Sequence, residues 1–230
     1  MQDGAYDWRD AKRDLGMSDP TPPRRGYHHG DLRDALLAAG EAELRDKGIE
    51  GFTLRGCAAR AGVSHAAPAH HFADANALLT ALAAQGYRRF LAAQQRRKHA
   101  ATPDPRAQLI AAGRGYVDFA RDNPEMFRLI FASGRPDHGD ADLSAAAGAA
   151  YRQLVADVGA VLGADPHQSE DGLLAISAAW SIVHGAADLL IGGRLPIAWG
   201  DPARTARLAD ELVSRSLGQL PGGLAPTEPS

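Results

Sequence analysis

The run Thr53-Leu-Arg-Gly-Cys-Ala-Ala-Arg-Ala-Gly-Val-Ser-His-Ala-Ala-Pro-Ala-His-His-Phe72 decides the fold. Thr53 has the side chain of a good N-cap, and Leu54, Cys57, Ala58 and Ala61 recur at i, i+3, i+4 and i+7, one face of a short helix. Gly56 stands where a capping box would place Glu, which weakens that start. Gly62 permits a tight turn, Val63 is apolar enough to bury, and Ser64 can cap a second short helix over about His65 to Phe72. Pro68 falls at the fourth position of that helix, where it removes at most one backbone hydrogen bond. Helix, glycine turn, capped helix is the helix-turn-helix layout, whose second helix enters a major groove while the first crosses the backbone.

Outward from this run the helical spacing continues. A first helix is predicted over Asp31–Asp46, with Leu32, Ala35, Leu36, Ala39, Ala42 and Leu44 as its apolar stripe. Lys47-Gly48 ends it, the glycine taking the left-handed conformation, and Ile49 and Phe52 plug the core from the linker. Asp74 caps a long helix, Ala75 to Arg97, whose end Arg96-Arg-Lys98 suits the negative end of a helix dipole. Further helices are predicted over Ala107–Arg121, Pro124–Ala132, Asp142–Gly163, Gln168–Gly192 and Pro202–Leu217, separated by Pro and Gly breaks. The fold class is all-α. Residues 1–23 read as a disordered arm, 24–74 as the helix-turn-helix domain, 75–218 as a second helical domain and 219–230 as a disordered tail.

Composition narrows the function classes. The 230 residues, 45% hydrophobic and 23% charged, suffice for a sizeable core. The single cysteine, Cys57, excludes an intramolecular disulfide and reads as core filler. Charge is segregated: residues 24–98 carry twelve basic and seven acidic groups, a net +5, whereas residues 99–230 carry ten and sixteen, a net −6. A basic segment joined to an acidic remainder suggests that one part meets a polyanion. The longest uncharged stretch, Gly172–Ala187, falls short of the ~20 apolar residues of a membrane span. Met1–Asp19 shows no signal-peptide core, so a cytoplasmic protein without membrane contact is expected. Aromatics at 6% predict a sparsely lined pocket. Adjacent pairs such as His28-His29 and His70-His71 diverge by about 100° on a helix and rarely chelate one ion, so no metal or cofactor is predicted. No nucleophile elbow, phosphate loop or dinucleotide fingerprint marks an enzyme.

Tyr27-His-His-Gly-Asp-Leu32, Phe52-Thr-Leu-Arg55, Ala61-Gly-Val-Ser-His-Ala-Ala-Pro68 and His71-Phe72 resemble the DNA-binding domain of tetracycline-repressor (TetR) family regulators. Phe119-Ala120, Asn123-Pro124, Phe127 and Phe131, followed by Trp180-Ser-Ile-Val-His-Gly185, resemble the effector domain of the branch named for its Trp, His and Gly. The resemblance runs from about Arg24 to Leu217. It implies an all-helical homodimer, paired through the last two long helices, that binds a near-palindromic duplex operator and holds a small-molecule effector in residues 75–218. Effector binding in such proteins usually loosens DNA binding, so repression is the expected mode. Ala69 stands where the family usually has Tyr and Ala75 where it usually has Lys, both phosphate-touching positions. These departures leave a second class open: a small-molecule-binding helical dimer whose DNA binding has weakened.

For the DNA side, His65 and His70 are candidates to reach base edges, and Ser64 adds a hydroxyl. Ala66 and Ala69 offer only methyl contacts, so much of the specificity would fall to DNA shape. His71 and Thr53 are candidate phosphate contacts, Thr53 with the help of its helix dipole. Arg55 is either a backbone contact or a solvated cation. Arg24 and Arg25 sit where an arm can enter the minor groove. For the effector side, Phe90, Tyr116, Phe119, Met126, Phe127, Phe131 and Trp180 are candidate pocket residues. His184, one turn from Trp180, is either a polar handle in that pocket or a core histidine satisfied by a neighbour. Ala175, Ala178, Ala179 and Ala186, with Ala206, Leu208, Ala209, Leu212, Val213 and Leu217, suit either a four-helix dimer interface or packing within the chain.

Overall fold

The computed structural model describes residues 29–195 and 201–220. Arg24, Arg25 and the predicted arm and most of the tail lie outside the described residues. Among those described there are eight α-helices and no strand. They are α1 (His29–Lys47), α2 (Leu54–Ala61), α3 (Ala75–His99), α4 (Pro105–Asp122), α5 (Pro124–Phe131), α6 (Ala141–Leu162), α7 (Glu170–Ile191) and α8 (Pro202–Gly218).

The helix boundaries follow from caps that the sequence carries. Thr53 accepts a hydrogen bond from the Gly56 amide, and Asp74 accepts one from the Ala77 amide. Asp104, Asp140, Ser169 and Asp201 do the same for α4, α6, α7 and α8. Gly48 and Gly62 end α1 and α2 at φ of +65° and +68°, a conformation that a Cβ disfavours.

Gly56 has a tertiary reason to lack a side chain. A Cβ there would stand 2.0 Å from the carboxylate of Glu43, which is buried in α1 and bound to Arg60 of α2 at 2.5 Å. Arg60 also reaches Asp46 at 2.8 Å, so one guanidinium ties α2 to two turns of α1. Leu36, Leu44, Phe52, Cys57, Phe72, Leu78 and Leu82 close the core beneath these helices.

One expectation fails. The segment after Gly62 is not an α-helix over His65–Phe72 but a single 3₁₀ turn, Ala67–His70, and Ser64 does not cap it. Pro68 has no N–H to give to the Ser64 carbonyl, which instead takes the Ala67 amide at 3.0 Å. Ala69 then bonds back to Ala66 at 3.3 Å, the i to i+3 pattern of the tighter helix. Pro68 itself is buried and pins the turn.

At 25 residues α3 is about 37 Å long and packs against α1, α4, α5 and α6. Its basic end is held by ion pairs rather than only by its dipole. Arg97 binds Asp118 of α4 through two nitrogens, at 2.5 and 3.0 Å, and approaches Asp210 of α8 at 3.5 Å, while Lys98 pairs with Asp157 of α6. Gly115 lets α4 press on α3, because a Cβ there would lie 2.5 Å from the Gln94 Cα. Arg106 donates to the carbonyls of Leu217, Gly218 and Leu220 and so closes the C-terminus of α8.

Candidate functional site

Two surfaces carry the sequence-predicted residues. At the α2 end of the molecule, Thr53, Arg55, Ser64, His65, Ala66, Ala69 and His70 are all exposed. No Asp or Glu occurs between Phe52 and Ala73. The α2 N-terminus, Arg55 and the imidazoles of His65 and His70 therefore face solvent with no carboxylate among them. Arg55 makes no ion pair among the described residues. His71 sits apart. It is half-buried in a polar crevice with Arg33, Asp74, Asp137, Asp140 and Asp142, so carboxylates rather than open solvent surround it.

The second surface is internal. A cavity of about 420 Å³ lies among α3, α4, α6 and α7, the size of a small-ligand site. Six aromatic rings line it: Tyr87, Phe90, Tyr116, Phe131, Tyr151 and Trp180. The low aromatic content is thus no guide to the lining, because the rings are concentrated in one place. Ring edges meet ring faces around Phe90, which is T-shaped to Tyr116, Phe119 and Phe131 at 4.8, 5.5 and 5.4 Å.

Of the predicted pocket residues, Phe90, Tyr116, Phe131 and Trp180 line the cavity. Phe119, Met126 and Phe127 do not; they are buried core, Met126 packing where α5 crosses Gly86 of α3. His184 is also set back from the cavity wall. Its Nδ1 shares a 2.8 Å hydrogen bond with the Tyr116 hydroxyl and its ring stacks on Phe127 at 5.4 Å. Burial pushes the Tyr116 phenol far above its usual range, an effect opposed by the Trp180 indole. The hydroxyl therefore stays protonated and available to the imidazole.

The polar residues that sequence reasoning missed are Tyr87, Gln94, His138, Ser144, Tyr151 and Asp157. Gln94 follows Tyr87 and Phe90 on one face of α3, and Asp157 follows Tyr151 and Leu154 on one face of α6. A polar side chain interrupting an apolar stripe was the available signal. Burial raises the Asp157 carboxyl above its ordinary range, and its pairing with Lys98 only partly offsets this.

Between the two surfaces runs the α5–α6 connection. Phe131 and His138 line the cavity, and the residues between them grip the helix-turn-helix side. Arg135 donates to the Ile49 carbonyl at 2.5 Å and to the Asn76 side-chain oxygen at 3.0 Å. The Asp137 amide donates to the Thr80 hydroxyl at 2.9 Å.

On the outside, α7 exposes Leu173, Leu174, Trp180 and Leu189, and α8 exposes Leu212. Ala175, Ala179, Ala186, Ala209, Val213 and Leu217, candidates for a dimer interface, are instead buried within the chain. By length and composition α7 is apolar enough to cross a membrane, which the uncharged stretch alone did not suggest; only 33% of its most apolar window is buried.

Comparison with known proteins gives a consistent picture. The family described as tetracyclin repressor-like, C-terminal domain, matches residues 109–215. A Rhodococcus sp. RHA1 protein of unknown function is 34% identical, with a TM-score of 0.66 over 85% of this chain and 100% of that one. A TetR-like transcriptional regulator, also from Rhodococcus sp. RHA1, is 19% identical with a TM-score of 0.55, covering 84% and 98% of the two chains. The TetR family transcriptional regulator PfmR from Thermus thermophilus is 19% identical with a TM-score of 0.58, covering 81% and 98%. These last two likenesses show the fold. Among curated proteins no sequence match reaches significance.

Proposed function

We propose that this chain, whose residues 109–215 match the tetracyclin repressor-like C-terminal domain family, is a ligand-responsive transcriptional regulator that binds duplex DNA as a homodimer. It acts by binding rather than by catalysis, and its place is with the DNA in the cytoplasm. The observation that carries this reading is the exposed, carboxylate-free tip formed by α2 and the 3₁₀ turn. In this arrangement the α2 N-terminus and Arg55 meet phosphates, which supply affinity and register. His65 and His70 reach base edges, with Ser64, Ala66 and Ala69 against the groove wall. His71 faces its acidic crevice and contributes little. Residues 24–74 are the DNA-binding unit, in which Arg24 and Arg25 add basic charge, and residues 75–218 are the effector and dimer unit.

The α5–α6 connection supplies the coupling. A ligand against Phe131 and His138 shifts the segment that Arg135 fastens to Ile49 and Asn76. The two tips of the dimer, which must stand about 34 Å apart to enter successive major grooves, then change separation. Such a coupling is typically ~1–3 kcal/mol, enough to release an operator and so to relieve repression.

The direct test is a mobility-shift titration of the full chain against the DNA flanking its own gene. A discrete shift is expected, with Arg55→Ala weakening it on specific and non-specific duplex alike. Ala75→Lys, which returns a cation to the start of α3, should steepen the salt dependence by about one unit of slope. A folded dimer that gives no shift even at low salt would sink the reading.

A further inference from the structure

One end of the cavity is built differently from the rest. Gln94 is only 7% exposed, yet its side-chain amide makes no hydrogen bond among the described residues, and its remaining surface faces the cavity it lines. Its amide oxygen and nitrogen are open to the cavity rather than sealed in the core, so both are free to pair with a bound molecule. Lys98 lies one turn further along the same face of α3 and pairs with Asp157, which also lines the cavity. Lys98 and the Gln153 amide both donate to Oδ1 of Asp157, Gln153 at 3.0 Å, while Oδ2 has no partner among the described residues. Two acceptors and one two-proton donor thus lie on one side of a cavity whose other polar groups include His138, Ser144 and three phenols.

We infer that the cavity takes an uncharged, largely aromatic or aliphatic molecule whose head group is a carboxamide, or another group joining N–H and C=O, seated on Gln94 and Asp157. This rests on the effector-cavity reading above and specifies its ligand. A primary amide fits the three vacant positions: its N–H groups donate to the Gln94 carbonyl oxygen and to Asp157 Oδ2, and its oxygen accepts from the Gln94 nitrogen. Charge decides against the alternatives. Lys98 already neutralises Asp157, and no Arg or Lys lines the cavity, so a ligand ammonium finds no free carboxylate there and a ligand anion finds no cationic side chain other than His138. A carboxylate would also face Asp157 directly, and an ammonium would leave the Gln94 N–H groups unpaired. Burial raises both Tyr87 and Tyr116, so these two phenols stay neutral hydroxyls and add no charge. The aromatic walls supply the apolar contact.

The experiment compares three probes on one skeleton, 2-naphthamide, 2-naphthoate and 2-naphthylmethylammonium, by calorimetric titration of the full chain at pH 7. The amide should bind at least about tenfold more tightly than either charged analogue, since a site that hydrogen-bonds its ligand discriminates strongly against mismatched heads. In Gln94→Leu, with helicity and melting checked by circular dichroism, that preference should shrink to within about threefold, and Gln94→Asn should retain part of it. Preference for the acid or the ammonium, or an amide preference that survives Gln94→Leu, overturns the head-group assignment while leaving an effector cavity in place. Failure of all three probes to bind the folded chain also overturns it. If the neutral dye Nile red is refused as well, the effector reading falls with it.

Discussion

At Asp157 two opposing effects meet on one carboxylate. Burial penalises its charge more than Lys98 and Gln153 stabilise it, so its pKa in the folded chain lies above the ordinary 3.8. The consequence for stability has a definite sign. A carboxyl with a raised folded-state pKa binds its proton more tightly in the folded chain, so its ionised form costs stability at neutral pH. That cost is relieved as pH falls through the folded pKa and is gone below about 3.8. Glu41 behaves oppositely, because its hydrogen bond to Arg89 lowers its pKa and the stability it contributes is lost on acidification. The two are separated by comparing the native chain with Asp157→Asn in denaturant melts from pH 7 to pH 4. The native chain should gain on the variant steadily as pH falls. A constant difference would mean that Asp157 is not penalised by burial. Replacing Lys98 and Asp157 together by Met and Leu should cost far less than removing either alone, because neither charge is then left unpaired.

Among the elements, the α5–α6 connection is the one placed to carry a signal. Its two ends line the cavity, and Arg135 at its middle holds Ile49 and Asn76. Arg135→Ala removes that grip while touching neither the cavity wall nor the exposed tip. Affinity for DNA and for ligand, each measured alone, should change by less than about threefold. The factor by which ligand weakens DNA binding should fall toward unity, a loss of ~1–3 kcal/mol of coupling. Intact coupling in the variant would send the signal through another contact. The same elements show what a sequence discloses and what it withholds. Thr53, Asp74 and Gly62 act within three residues of themselves, so α2, α3 and their ends were readable from local chemistry. The 3₁₀ turn was missed because Pro68 removes one bond from a helix too short to replace it. Gln94 and Asp157 were missed because their meaning depends on α3 and α6 lying side by side, a relation between residues more than sixty positions apart in the chain. His184 shows the same limit. Its spacing from Trp180 was plain, but only the packing of α4 against α7 makes Tyr116 its partner.

For the whole molecule, the outward face of α7 is the seam of the proposed homodimer. Its inward residues, including Ala175, Ile176, Ala179 and Val183, are packed in the core, whereas Leu174 is 65% exposed and Trp180 43% exposed. An exposed apolar stripe this long marks an interaction surface, and a second copy of the same face is the self-complementary cover in the proposed homodimer. Trp180 belongs to both surfaces, since it lines the cavity and faces outward. In the proposed homodimer ligand and partner thus act on the same helix, which gives an effector a short route to the separation of the two tips. Leu174→Glu isolates the assembly term. In an isolated chain an exposed substitution changes stability by no more than about 0.5 kcal/mol, but at a two-fold interface it places two carboxylates at one seam. Sedimentation should show the variant shifting toward the 24.2 kDa single chain while its helicity and melting persist. Its operator affinity should fall steeply, because each tip then binds one half-site alone, whereas weak non-specific binding per chain should hardly change. A variant that remains dimeric with full operator affinity would move the interface off α7, and with it the short route between ligand and DNA.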